Sequence, residues 1–303
     1  MNFKRTLILF FLGTSFLIKT NAQDLFTEEP GAEFRLNIAK KSNAAKKFFS
    51  IDRLSIGFGG GINFSLILPL SENSIFTGIA PAEYQKDYSS FVENVGSQFQ
   101  FLILYDINNF LKLGLQPSSN DYVYKYTTSY EWTGNTNLIY ETLYTQRIRM
   151  YEVPLMLGLY LNYGNFQPYF QGGGYYGRLV SGISDMSVVE TSSNLAGSTQ
   201  SLNYTTSANS GNLYQKNHYG LVVGSGIAYL FGRSRLSLEA DYKVLLSDLN
   251  SDETAFVNNQ VVSGNYDVPD KFKFSNLSIN LILVVPLKCK NGGSSKGGAV
   301  FCE

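Results

Sequence analysis

The chain has 303 residues, with 24 basic and 24 acidic side chains and a formal net charge of zero. This balance gives no electrostatic reason to expect a nucleic acid partner. Aromatic residues make up 15% of the chain and charged residues only 16%, yet no apolar run after the first 23 residues is long enough for a spanning helix. The combination is unusual for a cytosolic enzyme and is typical of a chain that meets lipid in short alternating segments.

The N-terminal segment has the three parts of a secretory signal peptide. A basic start, MNFKR, precedes the apolar run TLILFFLGTSFLI, and the small residues Thr20 and Ala22 stand before Gln23. This order predicts a cleavable signal over residues 1–22 and export from the cytoplasm. We expect residues 23–52 to be a periplasmic leader, whose basic segment 34–48 is either a short amphipathic helix or a solvated stretch.

The stretch LSIGFGGGINFSLIL, residues 54–68, alternates between two kinds of side chain. Even positions such as Ile56 and Phe58 are bulky and apolar, whereas the odd positions Gly57, Gly59 and Gly61 are small. A period of two predicts a strand, and its length exceeds the roughly 5 to 6 residues of most soluble strands. A bulky face with a small face opposite indicates a narrow barrel, with lipid outside and a crowded lumen inside.

The same alternation recurs along the chain and predicts eight strands. They cover residues 53–69, 96–107, 110–130, 140–162, 166–183, 214–231, 234–248 and 271–288. Short and long links alternate between them, as in outer-membrane barrels with periplasmic turns and long outer loops. The sequence therefore predicts an all-β fold, an eight-stranded antiparallel transmembrane (outer-membrane) β-barrel over residues 53–288, with a periplasmic tail over 289–303.

Two neighbouring strands resemble a known family. YEVPLMLGLYL followed by NFQPYFQGGGYYGRL is similar to the Glu-x-Pro-Leu and Pro-Tyr-x-x-x-Gly strands of the PorT-like small outer-membrane barrels of the Bacteroidota. The resemblance covers mainly residues 150–180 and implies a fold, with Glu152 in the lumen, and no active site. Some members of this group assist the type IX secretion system.

Five charged residues have inward parity and are candidates for ion pairs in the lumen. They are Glu152, Arg235, Glu239, Asp241 and Lys243. Paired carboxylates can do acid–base chemistry, but charges inside a small barrel usually pair with one another. We therefore expect a structural role for them.

No pattern predicts a catalytic, cofactor or metal site. GGGYYG at 172–177 fits G-x-G-x-x-G, but a strand-like segment follows it where a dinucleotide site requires a helix. His218 is the single histidine and the only candidate base for a nucleophile of the usual kind. We expect a protein without enzymatic activity and keep a hydrolase or acyltransferase as an alternative.

Two segments are expected at the cell surface. Residues 117–140 predict a hairpin that extends above the membrane, whose aromatic side chains are either a binding surface or part of the outer aromatic girdle; they are Tyr122, Tyr124, Tyr126, Tyr130 and Trp132. Residues 184–213, rich in Ser, Thr and Asn, predict a surface loop. Arg147 and Arg149 near the outer rim are either partners for anionic lipopolysaccharide or ordinary solvated charges.

The two cysteines, Cys289 and Cys302, flank a short Gly- and Ser-rich stretch in the predicted tail. In an exported protein this favours a disulfide, with two free thiols as the alternative. Together these patterns predict a non-enzymatic protein of the cell outer membrane that acts as a surface anchor, a binding protein or a subunit of an envelope complex. Its expected partners are outer-membrane lipid, lipopolysaccharide and other envelope proteins, and a narrow channel is a further alternative.

Overall fold

The computed structural model describes residues 53–71, 84–132, 135–193, 199–250, 270–287, 289–290 and 301–302. The predicted signal peptide and leader lie outside the described residues, as does most of the predicted tail. Within the described ranges, no helix is long and apolar enough to cross a membrane.

Strands account for nearly all of the described chain. The first six are β1 (Leu54–Ser71), β2 (Tyr84–Tyr88), β3 (Val95–Asp106), β4 (Leu111–Leu115), β5 (Ser118–Trp132) and β6 (Asn135–Tyr160). The next five are β7 (Phe166–Ser193), β8 (Thr199–Asn209), β9 (Asn217–Phe231), β10 (Ser234–Leu245) and β11 (Lys271–Pro286). Two short 3₁₀ helices, Phe91–Glu93 and Gly211–Leu213, lie in the connections.

The strands close into a ring with eight positions. Strand β1 pairs with β3 on one side and with β11 on the other, so the first and last strands of the ring meet. Strands β4 and β5 form one position, because both pair with β3 and with β6 on either side of a break at Gln116 and Pro117. The ring continues through β6, β7, β9, β10 and β11, and each pairing is antiparallel. The predicted eight-stranded antiparallel barrel is confirmed.

The outward face of the ring carries an apolar belt. On β6, the outward side chains from Tyr151 to Leu159, and Leu161 just beyond the strand, are all exposed and apolar or aromatic. This stretch matches the roughly 9 to 11 residues that a tilted strand needs to cross a membrane. Aromatic side chains mark both ends of the belt: at the outer end Tyr151, Tyr176 and Tyr219, and at the end with the short turns Phe166, Tyr229 and Phe231.

Two strands are much longer than a membrane crossing requires. Strands β6 and β7 have 26 and 28 residues, so more than half of each lies beyond the belt. There β2 pairs with the end of β5, and β8 pairs with the end of β7. We call this five-stranded region, made of β2, β8 and the outer parts of β5, β6 and β7, the extension sheet.

The extension sheet corrects two expectations from the sequence. The predicted loop over 184–213 is largely a hairpin, because β7 continues to Ser193 and β8 returns along it from Thr199 to Asn209. The Thr, Val and Tyr residues of this segment have high strand propensity, which outweighs the loop-like Ser and Asn content. Strand β2 lies in the predicted link between the first two strands and was not foreseen. The hairpin predicted over 117–140 is present as the outer parts of β5 and β6.

A separate two-stranded ladder lies after the barrel. Strands β12 (Cys289–Lys290) and β13 (Phe301–Cys302) pair so that Cys289 lies directly opposite Cys302. Opposite residues of an antiparallel pair have Cα atoms about 4.5 to 5.5 Å apart, which is within the range that a disulfide bridges. The disulfide itself stays a prediction.

Candidate functional site

The outer half of the lumen is filled by an aromatic core. Tyr126 stacks on Tyr144 with the ring centroids 4.7 Å apart, and Tyr122 packs edge-on against Phe274 at 5.1 Å. The Tyr124 hydroxyl lies 2.8 Å from that of Tyr214. This packing extends the barrel interior into the space beneath the extension sheet.

The expectation that the tyrosines of the 117–140 hairpin form an exposed binding surface is therefore wrong. Tyr122, Tyr124, Tyr126 and Tyr130 are at most 8% exposed and face inward. They continue the inward parity of Ser118 and Asn120, and remote segments cover them, including Leu213, Tyr214 and Leu249. The side chain of Trp132 lies outside the described residues. A surface contact through these four tyrosines is not available in this conformation.

At the outer end, a buried ion pair joins β2 to the start of β11. The Nζ of Lys86 lies 3.4 Å from Oδ1 of Asp270, with both side chains fully buried. Tyr88 donates a hydrogen bond of 2.6 Å to the other carboxylate oxygen, and Lys86 lies over the Tyr126 ring. Sequence reasoning missed both charges, because neither lies in a predicted alternating strand with a recognisable partner.

In the middle of the lumen, Glu152 and Lys243 form an ion pair. Lys243 Nζ donates a 2.7 Å hydrogen bond to Glu152 Oε2, and the Tyr122 hydroxyl donates one of 2.6 Å to Oε1. All three side chains are buried. Because each carboxylate oxygen has a partner, the charge on Glu152 is compensated inside the barrel.

The carboxylates of β10 accept hydrogen bonds from neutral groups. Glu239 accepts from the Tyr169 hydroxyl at 2.8 Å and from Gln116 at 3.4 Å. Asp241 accepts from Gln171 at 3.0 Å and from Asn280 at 3.3 Å. These two buried residues thus occupy the lumen within a hydrogen-bonded network.

Glycines on β9 make room for this network. A Cβ atom on Gly226 would lie 2.5 Å from the Tyr169 hydroxyl, and one on Gly224 would collide with the Asp241 carboxylate. The small inward face inferred from the sequence therefore has a direct steric cause. The remaining predicted lumen charge, Arg235, is also buried, and its guanidinium lies 5.4 Å from the centre of the Tyr160 ring.

The structure brings all five predicted lumen charges into the barrel, but only one ion pair forms among them. That pair is Lys243 with Glu152. Glu239 and Asp241 are held by hydroxyl and amide donors, and Arg235 has no carboxylate within ion-pair distance in the described part of the chain. The alternation along a strand identifies which side chains point inward. Which of these side chains form ion pairs depends on the stagger between strands, which the alternation does not reveal.

The arrangement around His218 is poorly suited to hydrolysis. Its side chain is completely buried, and its Nδ1 lies 3.5 Å from the Ser247 hydroxyl. Its Nε2 has no hydrogen-bond partner among the described residues, and no carboxylate in that part of the chain hydrogen-bonds to the ring as in a catalytic triad. GGGYYG lies within β7, and the described residues contain no His, Cys, Asp and Glu cluster that could hold a metal.

A groove on the outer wall carries charged side chains beyond the apolar belt. It has a volume of about 540 Å³ and lies across the outward faces of β5, β6 and β7 beside the start of β3. Its cationic side chains are Lys125, Arg147 and Arg149, and its apolar lining includes Val123 and Ile183. We call this feature the basic groove.

Two carboxylates partly balance the basic groove. Asp121 accepts two hydrogen bonds from Arg149, of 2.6 and 3.1 Å, and Asp185 lies 3.3 Å from Arg147. The bonds to Asp121 and its charge raise the pKa of the Arg149 guanidinium. The ammonium of Lys125 has no carboxylate partner within the described ranges, so the groove keeps an excess of positive charge.

The basic groove lies immediately above the apolar belt. Arg149 is two residues from Tyr151, the outermost belt residue of β6, and points outward like it. Arg178, opposite Tyr151 in the register of β6 and β7, is exposed at the same level. This height corresponds to the boundary between hydrocarbon and headgroups.

Comparison with known proteins agrees with this architecture. The model of the family described as "Outer membrane protein beta-barrel domain" matches residues 32–251, which is more than half of the chain. The chain belongs to this family. The family and the closed barrel place the protein in the cell outer membrane.

Solved barrels from other bacteria are similar to this one. The outer membrane protein OprG from Pseudomonas aeruginosa is 11% identical, with 77% of this chain and 94% of that chain covered and a TM-score of 0.39. The attachment invasion locus protein Ail of Yersinia pestis is 12% identical, with coverages of 76% and 97% and a TM-score of 0.30. Neisserial surface protein A is 11% identical, with coverages of 77% and 96% and a TM-score of 0.27. Among curated proteins, none matches the sequence significantly.

Proposed function

We propose that this outer-membrane barrel is a non-enzymatic binding protein of the cell surface, which contacts the phosphate groups of lipopolysaccharide through the basic groove. The observation that carries the proposal is the position of exposed Arg147 and Arg149, with half-buried Lys125 beside them, above the apolar belt. Lipopolysaccharide phosphates lie at this height, and guanidinium groups bind phosphate oxygens through paired hydrogen bonds.

The groove also offers apolar contact beside its cations. Val95, Val123 and Ile183 line it together with the charged side chains, which suits a ligand with a charged headgroup and acyl chains. The ion pair between Arg149 and Asp121 orients the guanidinium before any ligand arrives, which lowers the entropy cost of binding. A phosphate would compete with Asp121 and Asp185 for Arg149 and Arg147, while Lys125 has no such competitor among the described residues.

The packed lumen and the buried histidine support a binding role over the two alternatives. An aromatic core and a hydrogen-bonded network fill the interior, in keeping with the capacity of eight strands for side chains alone. His218 is sealed from solvent, which argues against a hydrolase or acyltransferase that uses it as a base.

The experiment is a titration of purified protein in detergent with purified lipopolysaccharide, measured by calorimetry. The triple variant Lys125→Gln, Arg147→Gln and Arg149→Gln should bind at least about tenfold more weakly, because each charged hydrogen bond contributes about 1.5 to 3 kcal/mol. Lys273→Gln is the matched control, since it removes a half-exposed cation that does not line the basic groove. Equal affinity of the triple variant and the wild type would remove the basis of the proposal.

Membership of an envelope complex is a second candidate, favoured by the edge of the extension sheet. Strand β8 pairs with β7 alone in the described chain, and its side chains Leu202 and Tyr204 are exposed. Such an edge accepts an additional strand from a partner. The resemblance of residues 150–180 to PorT-like barrels of the Bacteroidota points to the same role, with a link to protein secretion.

This second candidate is tested by purification of the native protein in mild detergent, followed by identification of bound proteins. A partner that serves the complex should be lost when Leu202 and Tyr204 are both replaced by Lys, because charges on an edge discourage strand addition. Recovery of the barrel alone from wild-type cells would count against the complex.

A further inference from the structure

The end of the barrel with the short turns contains buried cations that outnumber their carboxylates. Lys112 on β4 and Arg235 on β10 are 8% and 7% exposed. Both lie against one aromatic ring, with Lys112 Nζ 4.8 Å and the Arg235 guanidinium 5.4 Å from the centroid of Tyr160. Asp106 approaches Lys112 to 3.0 Å. Two like charges thus lie against the same ring, and Asp106 is the one carboxylate among the described residues that forms an ion pair with either of them.

The described residues around Arg235 leave part of its guanidinium without a partner. It forms no ion pair in the described residues, and its Nε is buried without a hydrogen-bond partner. Arginine stays charged at every physiological pH, so it cannot escape the cost of burial by losing its proton. A buried charge of this kind requires a counter-charge, and the Tyr160 ring supplies only a part of one.

The unsatisfied Nε belongs to a side chain that lines a cavity. Arg235 lines a cavity of about 150 Å³ together with Lys112, Asp106 and Arg233. An adjoining cavity of about 370 Å³ shares Lys112 and Asp106 with it and adds Arg53. Among the described residues, the two cavities together present four cationic side chains and a single carboxylate, an excess of three positive charges at one mouth of the barrel.

We infer that this mouth is a binding site for a phosphate group, with Arg235 and Lys112 as its buried ligands and Arg53 and Arg233 at its entrance. The charge excess favours a doubly charged oxyanion over a single carboxylate. A planar guanidinium beside an ammonium is a common pair for holding phosphate oxygens. The smaller cavity has room for one such group, since a water molecule occupies about 30 Å³ of liquid volume.

The ligand reaches this site from the periplasm. The short turns of outer-membrane barrels lie on the periplasmic side, and this mouth is formed by those turns. Two sources of a phosphate group meet there: a free phosphate or phosphate monoester in the periplasm, and the headgroup of a phospholipid in the inner leaflet. The site is distinct from the basic groove, which lies beyond the opposite end of the apolar belt.

The test is a titration of the full-length protein with inorganic phosphate in a phosphate-free maltoside detergent, followed by ³¹P NMR and calorimetry at near-physiological salt. We expect saturable binding by the wild type and a loss of at least about tenfold in affinity for Arg235→Gln, in line with a lost charged hydrogen bond. Arg235→Lys, which keeps the charge, should recover part of the affinity. Lys273→Gln, which removes a half-exposed cation that lines neither these cavities nor the basic groove, is the matched control and should leave phosphate binding unchanged.

A second arm uses nanodiscs that contain phosphatidylglycerol and no free phosphate. A ³¹P shift that depends on Arg235 in this arm alone would assign the phosphate to a lipid headgroup, whereas saturation by inorganic phosphate would assign it to a free anion. If Arg235→Gln fails to fold, the exposed turn variant Arg233→Gln replaces it, with an expected loss of about two- to fourfold. The inference is overturned if neither arm shows saturable binding, or if the variants bind as well as the wild type.

Discussion

Lys243 on β10 and Glu152 on β6 face each other within the lumen, with Nζ 2.7 Å from Oε2. The two residues are 91 positions apart in the sequence, and β6 and β10 do not pair with each other. The contact therefore crosses the interior of the barrel, and Tyr122 on a third strand completes the shell of the carboxylate. The ion pair therefore cross-links two strands of the barrel that share no backbone hydrogen bonds.

Removal of Lys243 should destabilise the barrel strongly. Lys243→Met leaves Glu152 buried without its counter-charge, and breaking one partner of a buried pair costs about 3 to 5 kcal/mol in the free energy of unfolding. Urea unfolding in lipid vesicles, followed by the mobility shift of the folded barrel on a gel, measures the loss. Adding Glu152→Gln to this variant should restore most of the stability, because the uncompensated charge is removed.

A half-exposed ion pair provides the control for this prediction. Lys273 lies 3.9 Å from Asp248, and both side chains are roughly half exposed. Lys273→Met should cost less than about 1 kcal/mol. Equal losses for Lys243→Met and Lys273→Met would contradict a stabilising role for the lumen pair.

The filled lumen predicts that the barrel does not conduct ions. Stacked tyrosines such as Tyr126 and Tyr144 fill the outer half, and the network around Glu239 and Asp241 fills the inner half. Planar bilayers with the purified protein should show no steady single-channel current above a detergent-only baseline. A reproducible current of fixed amplitude would instead support the narrow channel that the sequence left open.

A disulfide between Cys289 and Cys302 should form on export. The backbone places the two residues opposite each other, and the periplasm is oxidising. Alkylation of protein purified from the envelope, followed by mass spectrometry, should add no label without reductant and two labels after reduction. Cys302→Ser should still give a folded barrel, because the bridge lies beyond the last strand of the ring. Two labels without reductant would show free thiols.

The alternation of residues along each strand predicts well which side chains face lipid, and predicts less well which contacts form in the lumen. The alternation of bulky and small residues in β1 gives the correct lipid face, since Phe58 and Ile62 are exposed while Gly57 and Gly59 are buried. A single strand carries that information, because the pleat alone sets the face to which each side chain points.

The pattern within one strand does not predict which distant segments will cover it or how it is offset from other strands. The sequence of its own strand suggests that Tyr124 is at the surface, whereas contacts with Tyr214 and Phe272, from distant parts of the chain, help to bury it in the core. The partner of Lys243 likewise depends on how β10 is offset from β6 around the ring. The basic groove was foreseen only through Arg147 and Arg149, because its third cation, Lys125, comes from a neighbouring strand.

The pairing of β1 with β11 has a consequence for how the molecule is made. These strands are the first and the last of the ring, and Ser55 pairs with Pro286, so the ring stays open until almost the whole chain has been delivered. During that interval β1 and β11 each present an unpaired edge, which is prone to association with other chains. Such distant pairing also slows folding. An assembly factor in the periplasm or the outer membrane therefore has the most to contribute before β1 and β11 pair, by shielding both edges.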